Sequence, residues 1–333
     1  MSTSERREPL RIGILGAARI APTAIVAPAE VLGHRLVGVA SRDRSRAEQF
    51  AVVNKVERAF ESYEELIADP EINVIYNPLL NGAHSTWNLR ALAAGKHVLT
   101  EKPSASNGTQ AREVRDAANS SGLVFMEAFH YIYHPVLSRT LELVESGEIG
   151  KIKRVESIFN ITAPEADDPR WQYELAGGAL MDIGCYALHV HRMLALAISG
   201  TEPTIGKANA KLWSPNVDSS FEIQLDYGSD IDAVARIDMD AKWLNVLTIE
   251  GELGKITVPS FVGPHDDDRV AIEVGGSTRT EHLGRLSSYT YQLTAFSNAI
   301  DFDTPILTGP DDAVATMELI DAAYLAAGLT PRP

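Results

Sequence analysis

A lysine, a phenol, a carboxylate and an imidazole stand in this sequence at positions from which they could bind an oxygen atom and move a proton to or from it. Lys102 ends the stretch His97-Val98-Leu99-Thr100-Glu101-Lys102-Pro103, a short apolar strand that runs directly into a lysine and a proline. In an alternating α/β chain, ligands bind just beyond the carboxyl ends of the strands. Lys102 would stand over that crevice, with Pro103 fixing the backbone that aims it, and a Lys-Pro bond adopts cis at low energy cost. The plain alternative is an exposed strand-end lysine. Asp182, Tyr186 and His189 fall at i, i+4 and i+7 of a helix expected over 180–196, so they share one face. Each has an ordinary explanation: Asp182 as a charge near a helix N-terminus, Tyr186 as a core aromatic, His189 as a buried hydrogen bonder. The three together on one face read as a site.

The first half of the chain supplies the elements that would position Lys102. A strand over 10–15 leads into Gly16-Ala17-Ala18-Arg19-Ile20-Ala21 and a helix. The dinucleotide fingerprint places Gly-x-Gly-x-x-Gly/Ala at such a turn. Gly16 and Ala21 fit it, whereas Ala18 stands where the second glycine belongs. A second strand over 35–40 ends at Ser41-Arg42-Asp43-Arg44, with Arg46 close by, where an NAD enzyme usually carries an acid for the ribose hydroxyls. A hydroxyl beside guanidinium groups suits a ribose bearing a 2′-phosphate, so the reading is NADP(H) rather than NAD, against the alternative of a solvated, arginine-rich helix start. Further strands are expected over 57–60, 74–77 (ended by Pro78), 97–100 and 123–126. Helices are expected over 84–95 and 107–121, and a capping box opens another at Ser62-Tyr63-Glu64-Glu65. Six strands separated by helices make residues 1–126 a doubly wound parallel sheet, a Rossmann domain.

Residues 127–333 read as a second, α+β domain for substrate binding and oligomerisation. Glu127, His130 and His134 have helix-face spacing, but Pro135 directly after argues against a helical metal site, leaving packing and hydrogen bonding. No metal is expected. A helix over 135–146 and a strand over 151–162 precede a loop over 163–178 that carries Arg170-Trp171 and ends in Gly177-Gly178. From 204 to 284 the sequence alternates with period two, clearest in Phe221-Glu-Ile-Gln-Leu-Asp-Tyr227, which predicts a large, open-faced, mostly antiparallel sheet flanked by helices. Its open face predicts a homodimer or homotetramer. Helices over 288–302 and 311–327 close the chain, the last able to pack back on the first domain.

Composition narrows the partners. The 333 residues carry a net charge of −15 with no basic block, which argues against nucleic acid and anionic membranes and leaves a small molecule. No apolar run reaches the ~20 residues of a membrane span. Arg6-Arg7 could suggest an export signal, but Arg11 and Arg19 interrupt the apolar stretch after it, and the first nine residues read as a disordered tail. With one cysteine, Cys185, no internal disulfide is possible, which fits the cytoplasm.

These motifs together resemble the Gfo/Idh/MocA family, named for glucose–fructose oxidoreductase and inositol dehydrogenase. The likeness runs from Arg11 to about Leu325. It rests on Arg11-Ile-Gly-Ile-Leu-Gly16, Ala94-Gly-Lys-His-Val-Leu-Thr-Glu-Lys-Pro103, Gly177-Gly-Ala-Leu-Met-Asp-Ile-Gly-Cys-Tyr186 and Tyr289-x-x-Gln292-x-x-x-Phe296. A tyrosine at 186, often histidine in the family, resembles the branch of glucose–fructose oxidoreductase, dihydrodiol dehydrogenase and aldose dehydrogenases. The resemblance implies an NADP(H)-dependent oxidoreductase that passes hydride between the nicotinamide and a carbinol or carbonyl carbon of a sugar, polyol or trans-dihydrodiol. Lys102 would lie beside the nicotinamide and bind the reacting oxygen, lowering the pKa of Tyr186, the general acid/base, while Asp182 and His189 orient substrate or relay the proton. The cofactor would be held by Gly16, Ala18, Arg19, Ile20, Ser41, Arg42, Arg46, Asn77, Pro78, Asn81, His84, Glu101 and Lys102. The substrate would meet His130, Trp171, Asp182, Tyr186 and Tyr289. His130 and Ile132 depart from the Met and Arg that sugar-active relatives often carry. That departure keeps imine reduction open, and the same fold also serves silent NADP-sensing proteins.

Overall fold

Short, β-rich runs separated by helical segments build the first layer. The computed structural model describes residues 8–333, so the expected tail lies outside the described residues for positions 1–7. Six strands, β1 (Arg11–Leu15), β2 (Arg35–Ala40), β3 (Arg58–Phe60), β4 (Val74–Asn77), β5 (His97–Thr100) and β6 (Phe125–Glu127), form one parallel sheet in the order β3-β2-β1-β4-β5-β6. The central strands are apolar and buried on both faces, as a helix-covered parallel sheet requires. Helices α1 (Ala27–Leu32), α2 (Arg44–Asn54), α3 (Tyr63–Ala68), α4 (Asn81–Ala93) and α5 (Gly108–Ser121) provide that cover. The strand order reverses between β1 and β4, which leaves a crevice at their carboxyl ends.

Most boundaries follow the sequence reading. Helix α4 starts three residues earlier than expected, at Asn81, since Pro78 ends β4 and Leu80 is an extended N-cap. The Asn107 side chain accepts from the Gln110 amide to cap α5, and Gly122, at φ 66°, ends it.

After α6 (Pro135–Glu145), strand β7 (Ile152–Asn160) becomes the middle of a second sheet. Its companions are β8 (Thr204–Ser214), β9 (Val217–Asp226), β10 (Asp232–Asp238), β11 (Leu244–Gly251), β12 (Gly254–Val258), β13 (Arg269–Val274) and β14 (Ser277–His282). The order is β14-β13-β12-β11-β7-β10-β9-β8, antiparallel except where β7 meets β10. One face packs on α7 (Cys185–Ser199); the other carries an ion-pair ladder in which Arg154 bridges Asp232 and Glu156, and Arg236 bridges Glu156 and Glu222.

Both closing helices, not just the last, return to the first sheet. Leu293 and Phe296 of α8 (Ser288–Phe302) share a core with Ile12, Ile14 and Tyr76. Against α5 lies α9 (Pro310–Ala326), where Asp321 accepts from the Gly108 amide at 2.8 Å.

Candidate active site

Two chambers meet at Lys102 and Tyr186. A cleft of about 810 Å³ opens at the carboxyl ends of β1, β4 and β5, and a second chamber of about 680 Å³ lies on the side of the eight-stranded sheet. Lys102, Arg170, Asp182, Tyr186 and Tyr289 line both.

Lys102 leaves β5 through a cis bond to Pro103. Its Nζ donates to the Asp182 carbonyl at 2.7 Å, lies 3.5 Å from the Asp182 carboxylate, and stands 5.0 Å from the centroid of the Tyr186 ring. Burial works to lower its pKa, but Cys185, Asp182 and Glu101 outweigh that and hold it above the ordinary lysine value, so the ammonium stays charged. Glu101 beside it is buried and accepts from the Tyr76 hydroxyl at 2.8 Å.

The phenol behaves differently from the expectation. Tyr186 is raised well above the usual tyrosine pKa, by burial first and then by Tyr289, Glu101, Cys185 and Asp182. The expectation that Lys102 lowers it is corrected: the lysine sits over the ring, and its charge is shared with Asp182. Tyr186 therefore rests as a neutral phenol, a proton donor.

The start of α7 is fixed from outside. Residues Leu180–Gly184 form one π-helical turn before the α-helix begins at Cys185. Asp218, fully buried, accepts from the Leu180 amide at 2.6 Å and pairs with Arg332, whose Nε donates to the Gly177 carbonyl at 2.6 Å. Gly178 sits at φ +120°, and a Cβ there would collide with the Asp218 carboxylate, so glycine is required twice over.

Of the residues expected to hold the cofactor, Ala18, Arg19, Ile20, Arg46, Pro78, Asn81, His84, Glu101 and Lys102 line the larger cleft. Gly16 makes the turn below it at φ +93°, where a Cβ would press on Leu79 at 3.0 Å. His84 lies between the Pro103 and Leu79 carbonyls, 2.7 Å from Nδ1 and Nε2 respectively. Burial, against the pull of those two carbonyls, lowers its pKa to about 4, and the neutral ring donates its one N–H to one of them. Arg42 and Arg46 form no salt bridge among the described residues, and Arg46 reaches the Ala17 carbonyl at 3.4 Å. Unpaired guanidinium groups beside a glycine turn fit a phosphorylated dinucleotide.

Besides Gly16, five expected residues lie off the walls of both chambers. Ser41 is buried at the end of β2, and Arg42 is exposed beside it. Asn77 is buried and donates to Asn88 at 2.8 Å, bracing α4. His189 stacks on Phe129, 4.1 Å between ring centroids, and bonds Tyr131 and Asp312, because the π turn and one further helical turn carry it behind the aromatic layer. Trp171 stacks on Trp213 of β8, while its neighbour Arg170 turns to the cleft and reaches Asp182 at 3.5 Å. Arg170 carried no periodic signal; its pairing with Asp168 and Asp182 is tertiary. His265, Ser288 and Trp243 were likewise unmarked, since they arrive on a loop, a helix start and a turn far apart in sequence.

Comparison with known proteins shows the family. Residues 10–129 match the family model for the oxidoreductase family with an NAD-binding Rossmann fold, and residues 138–257 match that for the GFO/IDH/MocA C-terminal domain. The chain is 32% identical over 322 residues to D-xylose 1-dehydrogenase (NADP(+)) 2 of Haloferax volcanii, covering 95% of this chain and 96% of that one. It is 34% identical to trans-1,2-dihydrobenzene-1,2-diol dehydrogenase of Xenopus laevis, covering 75% of each. Among solved structures, KijD10, a 3-ketoreductase from Actinomadura kijaniata in complex with NADP and TDP-benzene, superposes with a TM-score of 0.87 at 26% identity, covering 96% of this chain and 98% of that one.

Proposed function

Because the chain belongs to the Gfo/Idh/MocA family of oxidoreductases, we propose that it is an NADP(H)-dependent dehydrogenase or reductase that interconverts a carbinol and a carbonyl on a small polyhydroxylated molecule: a sugar, a polyol or a trans-dihydrodiol. The observation that carries this reading is the meeting of Lys102, Asp182 and Tyr186 at the junction of the two chambers. The nicotinamide, when bound, supplies or accepts the hydride. Lys102 holds the reacting oxygen with an ammonium kept charged by its acidic neighbours. Tyr186 gives its phenolic proton to that oxygen in reduction and takes it back in oxidation. Arg46 and Arg42 meet the 2′-phosphate, and Arg19, Ile20 and Ala18 the pyrophosphate region. His84 and Asn81 support the nicotinamide end.

The name of the Haloferax relative, with its NADP(+), and the NADP complex of the Actinomadura reductase support the same cofactor here. The open face of the eight-stranded sheet would pair two copies of the chain, and the lone Cys185 suits a reducing cytosol. The test is the nicotinamide absorbance change across aldoses, polyols, trans-dihydrodiols, dicarbonyls and cyclic imines, each with NADP(H) and NAD(H). Turnover of a polyhydroxylated class with NADP(H) preferred is the expected result. Turnover confined to imines, or tight NADPH binding with silence throughout, would overturn it.

A further inference from the structure

In the chamber on the far side of Tyr186, two imidazoles are joined by one hydroxyl. Ser288 Oγ lies 2.7 Å from His130 Nδ1 and 2.9 Å from His265 Nδ1. His130 opens the 3₁₀ turn after β6, His265 belongs to the loop between β12 and β13, and Ser288 is the first residue of α8. The backbone N–H of Ser288 also points at His265 Nδ1, at 3.4 Å. An N–H only donates, so His265 Nδ1 is the bare, accepting nitrogen, and the ring's proton sits on Nε2, on the side of the Asp266 carboxylate 4.0 Å away.

The rest follows from counting protons. With His265 Nδ1 bare, the Ser288 hydroxyl must donate to it, and a hydroxyl has one proton to give. The 2.7 Å contact with His130 then requires the proton on His130 Nδ1, donating to Ser288 Oγ. His130 Nε2 is left as a lone-pair acceptor. The ring is buried, stacks 3.9 Å from the Tyr289 centroid, and lies 6.0 Å from the Tyr186 centroid. It lines the substrate-side chamber, and the described residues give its Nε2 no partner. Burial, together with His265 and Lys102, keeps the imidazole well below its ordinary pKa, so it stays neutral.

We propose that His130 Nε2 is a fixed acceptor for a substrate hydroxyl next to the reacting carbon, with Ser288 and His265 as positioning residues that lock its tautomer. The inference deepens the function proposed above and rests on it for the reacting carbon. The site selects a vicinal diol or a 2-hydroxycarbonyl compound. A deoxy analogue would leave the acceptor unpaired, and a carbonyl or ether at that position would set two lone pairs against each other.

Two measurements on the full chain decide it. The first is the ¹⁵N spectrum of histidine-labelled protein, which needs no turnover: His130 should carry its proton on Nδ1 with Nε2 bare. In Ser288→Ala that preference should be lost, and Ser288→Thr should keep it. A wild-type His130 protonated on Nε2 overturns the proposal whatever the enzyme turns over. The second is kcat/KM for D-xylose against 2-deoxy-D-xylose, or for the matching pair of the substrate found in the panel. Ser288→Ala should cut the preference for the hydroxylated member at least tenfold, mainly through KM, and Ser288→Thr should restore it. An unchanged preference in folded Ser288→Ala overturns the proposal. Silence of every polyol would sink the proposed function instead, with the tautomer still deciding this inference.

Discussion

The ammonium of Lys102 stands over the face of the Tyr186 ring, 5.0 Å from its centroid, with Asp182 as its partner. In the function proposed above, the N–H groups of Lys102 that Asp182 leaves unused would meet an oxygen arriving from the substrate chamber, and Tyr186 would keep its proton until that oxygen is there to take it. Tyr186→Phe removes the proton donor and leaves the ring packing on Phe129, 5.4 Å between centroids. It should lower kcat by 10²–10⁴, the usual contribution of a general acid. Lys102→Met should do at least as much. NADPH affinity, read by fluorescence quenching, should stay within a few-fold of wild type in Tyr186→Phe. Full activity in either variant would remove these residues from the mechanism.

The proposed choice of NADP over NAD rests on guanidinium groups that follow β2, Arg42 in the turn and Arg46 in the first turn of α2. Arg46 lines the cleft and Arg42 does not, so their effects should differ. Arg46→Ala should raise KM for NADP⁺ about tenfold or more, in line with the loss of one charge-assisted contact of roughly 1.5–3 kcal/mol, and leave KM for NAD⁺ nearly unchanged. Arg42→Ala should have the smaller effect. Equal losses for both cofactors would mean that Arg46 supports the fold of the turn instead of reading the phosphate.

What the sequence disclosed was what lies close together in it. The alternation of β-rich runs and capped helices gave the doubly wound sheet, since period, glycine stops and Asn or Ser caps are local signals. Lys102 was legible because it ends a strand and precedes a proline; Tyr186 and Asp182 because they share a helix. His189 shares that helix too, yet the π turn and the packing of Phe129 take it away from the chamber. Trp171 and Arg170 are neighbours pointing opposite ways, which no periodicity within a short 3₁₀ turn can resolve. The pKa of Tyr186 was misjudged for a related reason. A charge partner can be guessed from motifs, whereas full burial is a property of the assembled core.

Arg332, next to the end of the chain, bears on the site through Asp218. The pair is fully buried, Tyr324 donates to the same carboxylate at 3.1 Å, and the Leu180 amide depends on its other oxygen. Arg332→Ala leaves Asp218 buried and uncompensated, a change expected to cost about 3–5 kcal/mol. Chemical denaturation should report that loss as a lower midpoint at an unchanged slope. A loss below about 1 kcal/mol would show that water replaces the guanidinium.

His191 offers a pH test away from the chemistry. It is buried between Tyr227, 2.6 Å from Nδ1, and Ser157, 3.1 Å from Nε2, and burial depresses its pKa from 6.5 to about 3. The folded form therefore refuses a proton that the unfolded chain accepts between those two values. Its contribution to stability is complete above pH 6.5 and is lost as the pH falls toward 3, by about 1.4 kcal/mol per pH unit across the window. In His191→Gln that term is absent, while the other buried histidines act equally in both proteins. The difference in unfolding free energy between wild type and variant should accordingly shrink, by roughly 2 kcal/mol, between pH 7 and pH 5. A difference that stays constant over that range would mean that His191 takes up its proton in the folded state.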